Sequence, residues 1–180
     1  MPIPETERKL SEAAFFLGHM TAEERKVPRN QPEAFGYYLS AFLSASRSVT
    51  FVLQTEAGGG DYRQWFDTWL AGRGAGEREL LTFMNGQRRA EVHLEGAATV
   101  PDIEMVPITR VDIAHGPGVA GGPHPGYGFT WFGMPGETEV PTVGIVTHYF
   151  EDRKEPVVAG CARYLALLGE LVHDFRNTHD

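Results

Sequence analysis

The sequence predicts a mainly α-helical single domain, a bundle of four to five helices with a small antiparallel β insertion before the C-terminal helix. Three observations lead there. Apolar residues recur at three- and four-residue spacing over residues 5–96 and again over 156–176, the spacing drops to two within 99–150, and glycine and proline collect between 116 and 136. A chain of 180 residues is long enough for one substantial hydrophobic core, so a single domain over 1–180 is expected.

The elements follow in order. From Glu5 to Glu24, the residues Leu10, Ala13, Ala14, Leu17 and Met20 share one helical face. Pro28 and Pro32 punctuate a connection, and Pro32 opens a second, longer helix marked by Phe35, Leu39, Phe42, Ser46, Val49 and Leu53. It ends at the glycines 58–60. Asp61 is expected to cap a third helix, whose Tyr62, Trp65, Phe66 and Trp69 form an aromatic face suited to a core. After the break "AGRGAG", a fourth helix from Glu77 carries Leu80, Leu81, Met84, Arg88 and Val92 along one side.

Between 99 and 150 the period of two, in Val111 and Ile113, in Tyr127, Phe129 and Trp131, and in Val143, Ile145, Thr147 and Tyr149, predicts three or four strands. A Gly/Pro loop, "GPGVAGGPHPGYG", and a hairpin turn at "GMPGE" separate them. The aromatic strand has apolar residues on both faces, which suits packing on the bundle on one side and a second subunit on the other. Val157, Cys161, Tyr164, Leu165, Leu168, Leu171, Val172 and Phe175 then give the clearest amphipathic helix, which closes the bundle.

Composition narrows the function classes. A formal charge of −8 at pH 7 excludes a protein that wraps nucleic acid by broad electrostatic attraction, while leaving room for a local basic site. No run of about 18 apolar residues occurs, and "MPIPETERKL" lacks the layout of a secretory signal, so a cytoplasmic protein with no membrane contact is expected. The single cysteine, Cys161, lies in the apolar pattern of the last helix and is expected to be a buried thiol.

Chemistry concentrates at the end of the fourth helix. In "NGQRRAEVHLEG", Arg88 and His93 are five residues apart, about 140° and about 7.5 Å of rise on an ideal helix. Arg89 and His93, four apart, share a face. Arg88 continues the stripe of Leu81 and Met84 and is therefore directed toward the bundle or an interface. A guanidinium is a fixed charge with a planar fork of donors suited to phosphate, and an imidazole exchanges a proton near neutral pH. Together they suit metal-free phosphodiester cleavage, with Arg88 stabilising the transition-state charge and His93 as general acid or base. The plain structural reading is equally available, since basic residues are favoured at helix C-termini.

The segment "RRAEVH" resembles the R-x4-6-H signature of the HEPN superfamily, and "PEAFGYYLSAFLSASRSVTFVLQ" resembles the long second helix of HEPN-like bacterial proteins of unknown function. The likeness covers roughly residues 8–95 and the last helix. It implies a helical fold and, in the family's nucleases, a metal-independent endoribonuclease or toxin component. There, Arg/His pairs equivalent to Arg88 and His93 meet at a homodimer interface, and an antitoxin is the expected partner; in this chain Arg89, beside the pair, is a candidate substrate-binding residue. Arg89 stands where those nucleases commonly carry a small polar residue. The alternative the same resemblance supports is a non-catalytic module that binds a nucleotide, a small molecule or a protein partner.

Arg47 is the other substrate-binding candidate. Gly36, Ser40, Leu43, Arg47, Thr50 and Gln54 trace a small and polar strip on the second helix that could line a pocket, although pairing of Arg47 with an acid such as Glu12 or Asp67 is the favoured expectation. Gly116, Gly118 and Gly121 stand in G-x-G-x-x-G order, but no helix can follow them, so they are not read as a nucleotide site. His115, His124 and His148 have no metal-ligand spacing. No metal and no cofactor are expected. His19 and His173 are expected to be partly exposed or bonded to neighbours.

Overall fold

The structure, a computed structural model, describes residues 1–26, 32–58, 60–93, 99–107, 142–151 and 155–179. Its elements are α1 (Pro4–Glu24), α2 (Pro32–Glu56), α3 (Gly60–Ala71), α4 (Ala75–His93), β1 (Thr99–Pro107), β2 (Thr142–Phe150) and α5 (Val157–His179). Five helices and a two-stranded antiparallel sheet before the last helix are thus present among the described residues. The expected strands at 111–113 and 127–131, the Gly/Pro loop and the hairpin turn all lie outside them.

Local chemistry sets the helix ends. Pro4 begins α1, where its missing N–H costs nothing. The free amides of Glu5 and Thr6 donate to the carboxylate of Glu56 at the far end of α2, each at 3.0 Å, and the Thr6 hydroxyl donates to it at 2.6 Å. One side chain therefore caps α1 from another helix and ties the two together. Gly58, with φ of 76°, takes the left-handed conformation that ends α2. Asp61 lies inside the first turn of α3 and not at its cap, because the helix starts at Gly60. At α4 the Glu77 carboxylate reaches back to accept from the Gly74 amide at 2.7 Å, half of a capping box.

The packing makes four columns from five helices. α1 and α2 run antiparallel: Glu56 meets Thr6 at one end, and the His19 and Tyr38 rings stack 4.9 Å apart at the other. α3 and α4 follow one another along α5 in the opposite direction to it. Trp65 packs edge-on against Phe175 at 4.8 Å, Trp69 donates to Asp174 at 3.0 Å, and Met84 lies beside Gly160. Arg73, at the break between α3 and α4, pairs with Glu170 at 3.0 Å and Asp174 at 3.2 Å and stacks on Trp69. The core where the columns meet includes Phe42, Val49, Leu53, Met84, Leu168 and Leu171, each 1% exposed or less. Ala14, placed by periodicity on the inner face of α1, is exposed.

The sheet is a ribbon in which Thr99 pairs with Phe150 and Pro107 with Thr142. Its base is fixed to the bundle. Phe150 meets Phe83 edge-on at 5.1 Å, the His148 ring stacks on Phe35 at 3.7 Å, and the His148 amide donates to Glu24 at 2.9 Å. Ile103 and Met105, on the same face as His148 but farther along, are each 59% exposed.

Candidate functional site

A cleft of about 560 Å³ opens between α2, α3, α4 and α5, within the size range of small-molecule sites. Helical spacing explains its lining. α2 contributes Arg47, Thr50, Phe51 and Gln54, which recur at three and four residues and so share a side. From α3 come Tyr62, Phe66 and Leu70, one turn apart, with Arg63 and Asp67 beside them. α4 adds Arg78, Leu81, Thr82 and Asn85, and α5 adds Tyr164.

The cleft is basic in an acidic chain, with three guanidinium groups against one carboxylate. Arg47 makes no ion pair among the described residues. Its Nη1 donates to the Thr50 hydroxyl at 2.8 Å, and its guanidinium lies 4.9 Å from the Phe51 ring centre. The expected pairing with Glu12 or Asp67 does not form: Glu12 is taken by Lys9 at 2.6 Å, and Thr50 and Phe51 on its own helix hold Arg47 toward the cleft. Arg78 donates to the backbone carbonyl of Arg73 at the α3–α4 break.

Two tyrosines complete the floor. Tyr62 and Tyr164 are 6% and 3% exposed, and neither hydroxyl has a hydrogen-bond partner among the described residues. Burial pushes both phenols up to about 12, and the charge of Arg47 opposes that rise at each. Both are therefore protonated donors at neutral pH, in the same cleft as the fixed positive charge of Arg47.

The end of α4 is different. Arg88 and Arg89 continue, one heptad on, the sides of Leu81 and Thr82, yet neither lines the cleft. Arg88 is half-buried with its Nε shielded and without a partner among the described residues, whereas Arg89 is exposed. The His93 side chain, with residues 94–98, lies outside the described part, so the structure does not bring Arg88 and His93 together or set them apart.

The remaining candidates are placed more simply. His148 is 3% exposed, stacked on Phe35, with Nδ1 3.6 Å from Glu24 and no hydrogen bond to either ring nitrogen. Among the described residues no group of three His, Cys, Asp or Glu side chains is placed to hold a metal, and His115, His124 and the glycines 116–121 lie outside them. His173 is exposed and bonded to Asn177 at 2.8 Å, and His19 lies between the Phe15 and Tyr38 rings. Cys161 is buried, which pushes its thiol well up and makes it unreactive. No helix among the described residues is long and apolar enough to cross a membrane.

Sequence reasoning named Arg47 but missed Tyr62, Arg63, Arg78 and Tyr164. Tyr62 and Tyr164 sit within apolar stripes and read as core. The usable signal was the phenol itself, since a buried tyrosine hydroxyl needs a partner and none is evident on either stripe. No family model, no curated protein and no solved structure matches the chain.

Proposed function

We propose that this protein is a non-catalytic helical module that binds a small anionic molecule in the cleft between α2, α3, α4 and α5, as a HEPN-like bundle adapted to binding. The observation that carries this reading is Arg47, a fixed charge held in a concave site without a carboxylate partner. A guanidinium in that setting gains from an anion because it has already lost part of its hydration and has free donors. Arg63 and Arg78 add attraction at the same opening.

The test is calorimetric titration at low ionic strength with acetate, benzoate, inorganic phosphate and phenyl phosphate. At least one is expected to bind, and Arg47→Met is expected to weaken it by about tenfold or more, the ~1.4 kcal/mol or more of a charged hydrogen bond. Equal binding to wild type and Arg47→Met, or no binding of any probe at millimolar concentration, overturns the reading.

A second reading, a ribonuclease acting through Arg88 and His93 at a homodimer interface and held by an antitoxin, is favoured by one observation, the shielded and unpartnered Nε of Arg88. On the binding reading, end-labelled RNA incubated with the protein and chelator stays intact. Cleavage that falls by about 10²-fold or more in His93→Ala, the scale of general acid–base catalysis, replaces the binding reading with the ribonuclease.

A further inference from the structure

We infer that the ligand of the cleft is a carboxylic acid with an apolar body, seated with its carboxylate on Arg47 between the hydroxyls of Tyr62 and Tyr164. The inference rests on the anion-binding reading above and specifies its chemistry.

The donors at the floor match one carboxylate. An ionised carboxyl group has one negative charge and about four lone-pair sites. Arg47 has five N–H donors, of which Nη1 spends one on Thr50, so its Nε–Nη2 edge is free among the described residues for a two-point contact. Tyr62 and Tyr164 are buried, line the same cleft, have no hydrogen-bond partner among the described residues and feel the charge of Arg47. Two N–H and two O–H donors meet the four sites, and one guanidinium balances the one charge.

A phosphomonoester fits this floor less well. It brings close to two negative charges and a third oxygen, and a buried charge without a counter-ion is strongly disfavoured. The other guanidiniums belong to Arg63 and Arg78, both exposed side chains, unlike the buried phenols. The walls indicate what the carboxylate is attached to. Phe51, Phe66, Leu70 and Leu81 present rings and branched carbons to the same volume, a surface for an aryl or branched alkyl group.

The experiment compares 3-phenylpropanoate with acetate, phenyl phosphate and 3-phenylpropanol by titration calorimetry on the whole chain. Phenylpropanoate is expected to bind at least about tenfold more tightly than each of the others, since each lacks the body, the single charge or the charge altogether. Tyr62→Phe and Tyr164→Phe are each expected to weaken phenylpropanoate about three- to tenfold, the scale of one lost hydrogen bond, without weakening the alcohol. Arg47→Lys serves where a tyrosine variant does not fold: it keeps the charge and loses the two-point fork, and about a tenfold loss is expected.

Tighter binding of phenyl phosphate, with dependence on Arg47, overturns the carboxylate assignment and leaves the anion cleft standing. Unchanged phenylpropanoate affinity in both tyrosine variants, or in Arg47→Lys, also overturns it. If no probe depends on Arg47, the assignment and the anion-binding reading fall together.

Discussion

Phe175→Ala is expected to destabilise the protein by about 3–5 kcal/mol, the usual cost of emptying a buried phenylalanine site. Phe175 is 1% exposed on α5. Its ring meets Trp65 edge-on at 4.8 Å, lies 6.2 Å from Tyr62 and stacks on His179 at 4.1 Å. α3 has only 12 residues, too few to be stable alone in water, and its aromatic face packs against this part of α5. Removing the ring therefore removes the surface that keeps α3 folded. Domains of this kind have about 5–15 kcal/mol in total, so the change consumes a large fraction. Urea denaturation should show a lower midpoint with an unaltered slope, and a loss below about 1 kcal/mol would show that α3 is held by something else. Because Tyr62 belongs to α3, the same variant should bind cleft ligands poorly even where it remains folded.

Glu56→Ala is expected to cost about 1–3 kcal/mol, because it leaves the Glu5 and Thr6 amides and the Thr6 hydroxyl without their acceptor. Thr6 is fully buried, so water replaces the carboxylate poorly there, while the half-buried Glu56 itself moderates the loss. The contribution is also pH-dependent. Partial burial raises the Glu56 carboxyl, but the bonds from the Thr6 hydroxyl and from the two amides outweigh it, and the net shift is downward. A group depressed in the folded state stabilises above its unfolded value, about 4.3 for glutamate, and loses that contribution as pH falls through the folded value. Wild type should therefore lose stability below about pH 4.3 more steeply than Glu56→Gln. Parallel acid profiles for the two would refute the cap's role.

The helices were legible because burial repeats along them with a fixed period. Phe35, Leu39, Phe42, Ser46, Val49 and Leu53 all proved buried, as their spacing on α2 requires. The alternation of Val143, Ile145, Thr147 and Tyr149 likewise marked β2. Glu56 as a cap for α1 was not legible, since the contact joins positions 50 residues apart and no local pattern encodes it. The cleft was half legible for the same reason. Arg47 stood out as a charge within a strip of small and polar residues, whereas Tyr62 and Tyr164 gain significance only when three helices bring them into one cleft with it. Arg78 carries no local signal of a role in the cleft, since the carbonyl it holds is supplied by the turn of the chain before α4.

That turn has a wider meaning for the site. Arg73 anchors the corner through Glu170 and Asp174, and the corner's own carbonyl orients Arg78 at the rim of the cleft. The rim of the opening is consequently braced by two carboxylates of α5, the same helix whose Tyr164 lines the cleft. Selection acting on carboxylates at 170 and 174 would tune ligand fit by leverage, leaving the residues that meet the guest untouched.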